Sequence, residues 1–331
     1  DRWSIAVSEL LRNIDARTKL AGTNKLEILL FTLGLDSRTG RRENFGINVF
    51  KVREVMRTPE ITRAPDMPPA VEGMVSLRGT LVPVVDLARY SGVETNTPRE
   101  IMIVTEYNGH TQGFLVEGVD TILRLDWSSM RVPPDMLQME MGGLVTAVTE
   151  LEGGKLIMMM DVEKVLAETS PRFEEEMQMS GIRGVGTEGK FVFFADDSLI
   201  ARKQIERTLQ QMGMRTQYAI NGRRAWEELQ KLATEAESKG VELKTMLHLI
   251  LTDIEMPEMD GYMLTKTIKS DSRFAGIPVL MHSSLSGASN QQLGTSVGVD
   301  GYVTKFEPVK LSEAVSRILA DTHAQMGHYH R

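Results

Sequence analysis

Cysteine is missing from all 331 residues, which removes disulfides, thiolate nucleophiles and Cys-based zinc sites together. No uncharged stretch of about 18 residues occurs, and no leader pattern with a cleavage site, so neither membrane insertion nor secretion is expected and the expected location is cytoplasmic. No cluster of Lys and Arg interrupts a net charge of −7, which argues against a nucleic-acid-binding surface. Histidine is scarce, at six residues. Three of them, His323, His328 and His330, crowd the C-terminus, where a frayed tail over 321–331 is expected rather than a metal site. The chain opens on Asp1 rather than Met, so either trimming or a chosen starting point is expected. What remains is ordinary: 41% hydrophobic and 25% charged residues, enough for two domains.

The pattern changes three times along the chain. Trp3, Ile5, Val7, Leu10, Leu11 and Ile14 recur at helical spacing and predict an amphipathic N-terminal helix over 1–22. Over 25–168 the runs are those of strands: Leu26–Leu35, Phe45–Met56, Gly73–Leu87, Ile101–Tyr107, Gly113–Leu125, Gly143–Leu151 and Leu156–Asp161. Asn108-Gly109 and Gly153-Gly154 each lie between apolar runs, where a type I′ turn needs positive φ. Many short strands with tight turns predict a β-barrel or sandwich. An acidic, glycine-containing tether is expected over 169–189. Within it Gly184-(x)4-Gly189-Lys190 imitates a phosphate-binding loop. However, Phe191 replaces the magnesium-holding hydroxyl, and the segment precedes a strand instead of following one.

From 190 to 320 short apolar runs alternate with helical patterns, predicting a doubly wound α/β sheet of five strands. Polar residues stand at the ends of four of those runs: Asp196 and Asp197 after Phe191–Ala195, Asp253 after Leu247–Leu251, Ser283 after Pro278–Met281, and Lys305 after Gly301–Val303. Ligands of such sheets bind beyond the carboxyl ends of the strands, so these groups are expected to converge on one cleft. Three neighbouring carboxylates repel one another unless a cation offsets them, and Mg²⁺ with oxygen ligands suits that need.

Ala195-Asp196-Asp197-Ser198, Asp253-x-x-Met256-Pro257-x-Met259-Asp260-Gly261, Ser283 and Lys305 resemble the signature of two-component response-regulator receiver domains. The resemblance implies that Asp253 is the phosphoryl acceptor and that Asp196, Asp197, Asp253 and the backbone carbonyl of Glu255 hold Mg²⁺. It further implies that Ser283 and Lys305 contact the phosphoryl group, and that Tyr302 is the aromatic switch, turning from exposed to buried as Ser283 moves inward. Two departures stand out: Phe306 follows Lys305 where proline is usual, and Glu237–Thr245 reads as an insertion. His282 is expected to be a strand side chain.

The string Leu77-Arg78-Gly79-x-x-x-Pro83-Val84-x-Asp86-Leu87, together with Gly46–Val55, resembles the CheW-like chemotaxis coupling domain, a double β-barrel. That resemblance implies chemoreceptor cytoplasmic tips and a chemotaxis histidine kinase as partners, with Val52, Glu54, Gly73 and Arg78 at partner contacts. A purely structural role would instead keep Val52 in the core and Arg78 as a hairpin charge. A coupling domain followed by a receiver is the layout of CheV-type proteins, which implies a non-enzymatic scaffold regulated at Asp253 and a role in adaptation. Two other classes compete: a phosphatase-like hydrolase with Asp253 as covalent nucleophile, for which Glu255 is a weak second acid, and a DNA-binding regulator, which lacks its basic helix.

Overall fold

A computed structural model describes residues 23–107, 109–135, 143–170, 181–182, 184–284 and 294–328. The expected N-terminal helix lies outside these residues, as does most of the expected tether. The chain divides into two units, one containing residues 25–171 and the other 172–331.

In the first unit the three longest predicted runs each break in two. A 3-10 turn at Val49–Lys51, capped by the Asn48 side chain accepting from the Phe50 amide at 3.0 Å, separates β2 (Asn44–Asn48) from β3 (Val52–Arg57). Arg78-Gly79 turns β4 (Val71–Leu77) into β5 (Thr80–Asp86), with φ of 49° and 83°. Both central residues are left-handed, as a type I′ hairpin requires. Arginine is uncommon in that region, which is why the sequence concealed this turn. The third run divides between β7 (His110–Val116) and β8 (Gly118–Asp126).

The hairpin expected at Asn108-Gly109 joins β6 (Ile101–Tyr107) to β7, with Tyr107 paired to His110. Between β9 (Val145–Glu150) and β10 (Leu156–Met160) the turn is wider than the type I′ expectation: the Leu151 amide donates to the Lys155 carbonyl around a three-residue loop, in which Gly153 and Gly154 both take positive φ.

With β1 (Lys25–Thr32), these strands form two five-stranded sheets, ordered β8-β1-β2-β10-β9 and β3-β6-β7-β5-β4. Strands from both edges of each sheet pack on one core. Leu123 and Leu125 of β8 share a cluster with Ala147 of β9, and Met56 of β3 shares another with Val75 of β4. Such sharing requires each sheet to curl toward closure, as barrels do. Asp86, the last polar residue of the diagnostic string, is a helix cap, accepting from the Ala88 and Arg89 amides at the start of α1 (Leu87–Ser91). A second helix, α2 (Val162–Thr169), follows β10.

The second unit is a parallel sheet ordered β12-β11-β13-β14-β15, built from Phe191–Ala195 (β11), Arg215–Ala219 (β12), Leu249–Thr252 (β13), Val279–Ser283 (β14) and Gly301–Thr304 (β15). Its helices are α3 (Leu199–Gln211), α4 (Gly222–Ser238), α5 (Gly261–Ser270) and α6 (Pro308–His328). Strand residues alternate between two cores. Phe193, Ala195 and Ile250 pack with residues of α4 and α5, whereas Val192, Phe194, Leu249 and Leu251 pack with α3 and α6. Burial on both faces is why these strands read as unbroken apolar runs.

Two boundaries differ from expectation. The tether is shorter, because Thr187 is fully buried and donates its hydroxyl to the Met212 carbonyl at 2.7 Å. The segment Gly184–Lys190 leads into β11, which disposes of the phosphate-loop imitation. The last helix runs eight residues beyond Ala320, to His328, since Asp321–Gln325 offers no breaker. The expected insertion holds the end of α4 and a 3-10 turn at Leu243–Thr245, pinned by buried Leu243.

Candidate functional site

The register of the parallel sheet places Asp196, Asp253, Ser283 and Lys305 at one edge. Asp253 follows β13, the central strand, and its amide donates to the Ala195 carbonyl at 2.8 Å, so the two acidic strand ends lie level. The Lys305 amide donates to the Ser283 carbonyl at 2.9 Å and levels the other two.

Local chemistry then fixes the carboxylates. One oxygen of Asp253 accepts from the Ile254 amide at 2.7 Å, and one of Asp196 accepts from the Ser198 amide at 2.9 Å. Ser198 in turn caps α3, accepting from the Ala201 amide. The turn after Asp253 is held by the Gly261 amide, which donates to the Ile254 carbonyl at 2.8 Å. Gly261 is obligatory: a Cβ there would sit 1.9 Å from the Asp253 carbonyl oxygen. Glu258, at φ 67°, completes this turn.

The remaining oxygens face inward. The Lys305 ammonium lies 2.9 Å from Asp253 Oδ2 and 3.0 Å from Asp196 Oδ2, with all three side chains almost wholly buried. Acidic oxygens of Asp196, Asp197 and Asp253 lie within 4.8 Å of one another. Three carboxylates against one ammonium leave an excess of two negative charges in a low-dielectric cleft. Hard oxygen donors so arranged fit a divalent cation of the Mg²⁺ type. Glu255, largely buried, stands two residues after Asp253.

Tyr302 differs from the expected exposed state. It is half-buried and its hydroxyl shares a hydrogen bond with the Ser283 side chain. Burial pushes that hydroxyl well above the usual tyrosine range, and the charges of Asp253 and Glu255 act in the same direction, against Ser283 and Lys305. Tyr262, on the first turn of α5, is pushed up likewise, first by burial and then by Tyr302, Asp260 and Glu255. The sequence reading did not single out Tyr262; its place directly after the diagnostic Asp260-Gly261 was the available signal. His282 is a buried strand residue, as expected. Phe306 is fully buried at φ 62°, and no peptide among the described residues is cis.

In the β-rich unit the four predicted contact residues separate into two pairs. Val52 is buried in β3, and Gly73 lies under the main chain, where a Cβ would meet the Thr62 carbonyl oxygen at 2.3 Å. Glu54 and Arg78 instead form an ion pair at 3.1 Å, with Arg78 72% exposed. The pair bridges β3 and the β4–β5 turn, so it joins the two edges of that sheet.

Comparison with known proteins gives two family matches: the CheW-like domain over residues 27–170 and the response regulator receiver domain over residues 192–317. The chain is 30% identical to the chemotaxis protein CheV3 of Helicobacter pylori over 279 residues, covering 83% of this chain and 88% of that protein. Its β-rich part is 31% identical to the chemotaxis protein CheW of Klebsiella aerogenes, over 45% of this chain and 87% of that protein. Its α/β part is 35% identical to the chemotaxis protein CheY1 of Helicobacter pylori, over 38% of this chain and 92% of that protein.

Proposed function

The chain belongs to the CheV family of chemotaxis coupling proteins, and from that premise we propose that its adaptor activity is set by phosphorylation of Asp253. The observation that carries this reading is the buried ammonium of Lys305, shared between Asp253 and Asp196 at the end of a parallel sheet. A charge held in that position stabilises negative charge arriving on Asp253 without reorganisation.

The residues divide the work. Asp253 offers the attacking oxygen, oriented by the Ile254 amide on its other oxygen. Lys305 is placed to neutralise the transferred group, and the Ser283 hydroxyl to donate to it. Asp196, Asp197, Asp253 and the Glu255 carbonyl would hold Mg²⁺, which supplies charge neutralisation for in-line transfer when bound. Beyond the cleft, the β-rich domain would meet chemoreceptor cytoplasmic tips and a chemotaxis histidine kinase, with Glu54 and Arg78 at the contact and Val52 and Gly73 supporting the surface from beneath. The protein would then act at cytoplasmic receptor assemblies as a scaffold rather than an enzyme, in adaptation. Among the described residues no helix is long and apolar enough to cross a membrane. The phosphatase-like alternative gains no support from the relatives named above.

Phosphoryl transfer from a small phosphodonor, followed by acid-stable trapping of the aspartyl phosphate, tests the acceptor. Wild type should be labelled only with Mg²⁺ present, and Asp253→Asn not at all; equal labelling of that variant removes Asp253 from the role.

A further inference from the structure

The acid pair that prepares the cleft is itself held from behind. Arg202, on the second turn of α3, donates from one guanidinium nitrogen to the carbonyls of both Asp196 and Asp197, at 2.9 and 2.8 Å. The same guanidinium lies over the ring of Tyr218, its carbon 5.7 Å from the centroid, and Tyr218 packs on Phe194 of β11 with centroids 5.5 Å apart. The contacts form a closed circuit: β11 leads into the acidic loop, the loop's carbonyls grip Arg202, Arg202 covers Tyr218 on β12, and Tyr218 returns to β11.

We propose that Arg202 is a positioning residue for the cation site, a role that rests on the reading of Asp196 and Asp197 as Mg²⁺ ligands. Three consequences follow from the geometry. Main-chain carbonyls tied to a guanidinium fix the peptide planes on either side of Asp197, and with them the directions in which both carboxylates leave the chain. A charge-assisted bond to each carbonyl holds this arrangement before the cation arrives, so less ordering remains to be done on binding. The guanidinium also faces the backbone rather than the carboxylates, so it orients the loop without competing for the acidic oxygens.

Tyr218 is the second half of the device. It is 48% exposed, yet it offers its face to Arg202, and a cation over an aromatic face gains attraction while remaining near water. It limits the directions in which Arg202 can swing out of the loop. The loop's geometry is therefore read partly from β12, an edge strand that supplies no ligand of its own.

Mg²⁺ affinity of the full-length protein, measured by titration calorimetry, tests this. Partners that orient metal ligands typically change affinity by about 10–100-fold when removed. Arg202→Met should weaken Mg²⁺ binding by about tenfold or more. Arg202→Lys retains the charge but presents no planar fork, and should recover only part of the loss. Tyr218→Leu should weaken binding by about two- to fivefold, in keeping with a contact worth about 0.5–1 kcal/mol. Circular dichroism of each variant separates lost positioning from lost folding, and Arg202→Lys is the deciding variant should Arg202→Met not fold. Mg²⁺ affinity within twofold of wild type in folded Arg202→Met, or in Arg202→Lys where Met does not fold, overturns the proposal. Failure of the wild type to bind Mg²⁺ would instead overturn the reading of the acid pair on which it rests.

Discussion

Lys305 is the sharpest point at which to perturb the protein, because one buried ammonium serves two buried carboxylates. At an effective dielectric of about 20, a contact of this length carries a gross attraction of about 6 kcal/mol. Desolvation of the three groups consumes much of that, so the net worth of the cluster in the intact protein is small. Removing the cation alone is different, since the carboxylates stay buried without compensation. Measured losses for broken buried pairs run to about 3–5 kcal/mol. Lys305→Met preserves most of the stem volume, so the loss is electrostatic rather than a cavity effect. For a unit of this size it should lower the melting midpoint by roughly 10–15 °C.

Calorimetry of the full-length protein in EDTA and then in Mg²⁺ provides the assay, the relevant transition being the one that shifts with the ion. Mg²⁺ at about a hundred times its dissociation constant should restore about 2.7 kcal/mol by mass action. Asp253→Asn is the control, since it relieves one negative charge: its midpoint in EDTA should equal or exceed that of wild type. A midpoint for Lys305→Met in EDTA within about 2 °C of wild type, well under 1 kcal/mol, would refute the argument that Lys305 offsets the acidic excess.

Two other outcomes are expected. Arg78→Glu, at an exposed pair, should cost no more than about 1 kcal/mol of stability yet weaken binding to receptor–kinase assemblies by about tenfold; unchanged binding would leave the Glu54–Arg78 edge a structural brace only. Burial raises the Tyr262 and Tyr302 hydroxyls, so the folded state keeps protons that the unfolded chain releases above the ordinary tyrosine value near 10. Stability should accordingly be intact below that pH and fall as pH rises past it, and Tyr262→Phe should flatten the fall in urea midpoints between about pH 9 and 11.5; a slope unchanged from wild type would show that Tyr262 does not contribute.

The sequence was most legible where one residue type has one physical use. Asp and Lys at strand ends have few reasons to exist other than a cleft, and Gly261 shows its reason as an impossible Cβ contact. It was less legible where structure turns on unusual backbone. Arg78 forms half of a type I′ turn that an Asn-Gly pair would have announced, and Phe306 occupies a left-handed conformation that nothing in its side chain predicts. Burial class was also hidden: Val52 and Arg78 looked equivalent as contact candidates, yet one lies inside the sheet and the other stands in solvent. Arg202 escaped notice because its contacts run to main-chain carbonyls, which leave no trace in a pattern of side chains.

The hydrogen bond between Tyr302 and Ser283 has a bearing on how the cleft would report its state. A serine hydroxyl owns one proton and a tyrosine hydroxyl owns one. The Ser283 side chain is buried and Tyr302 is half-buried, both within reach of the charges of Lys305 and Asp253. A phosphoryl group on Asp253 would claim the Ser283 proton, and Tyr302 would then have to supply its own to the shared bond, pointing it at Ser283. The aromatic ring, already half-buried, would have a shorter journey from surface to interior. What would change is the direction of a single hydrogen bond, an allocation of two protons among three claimants.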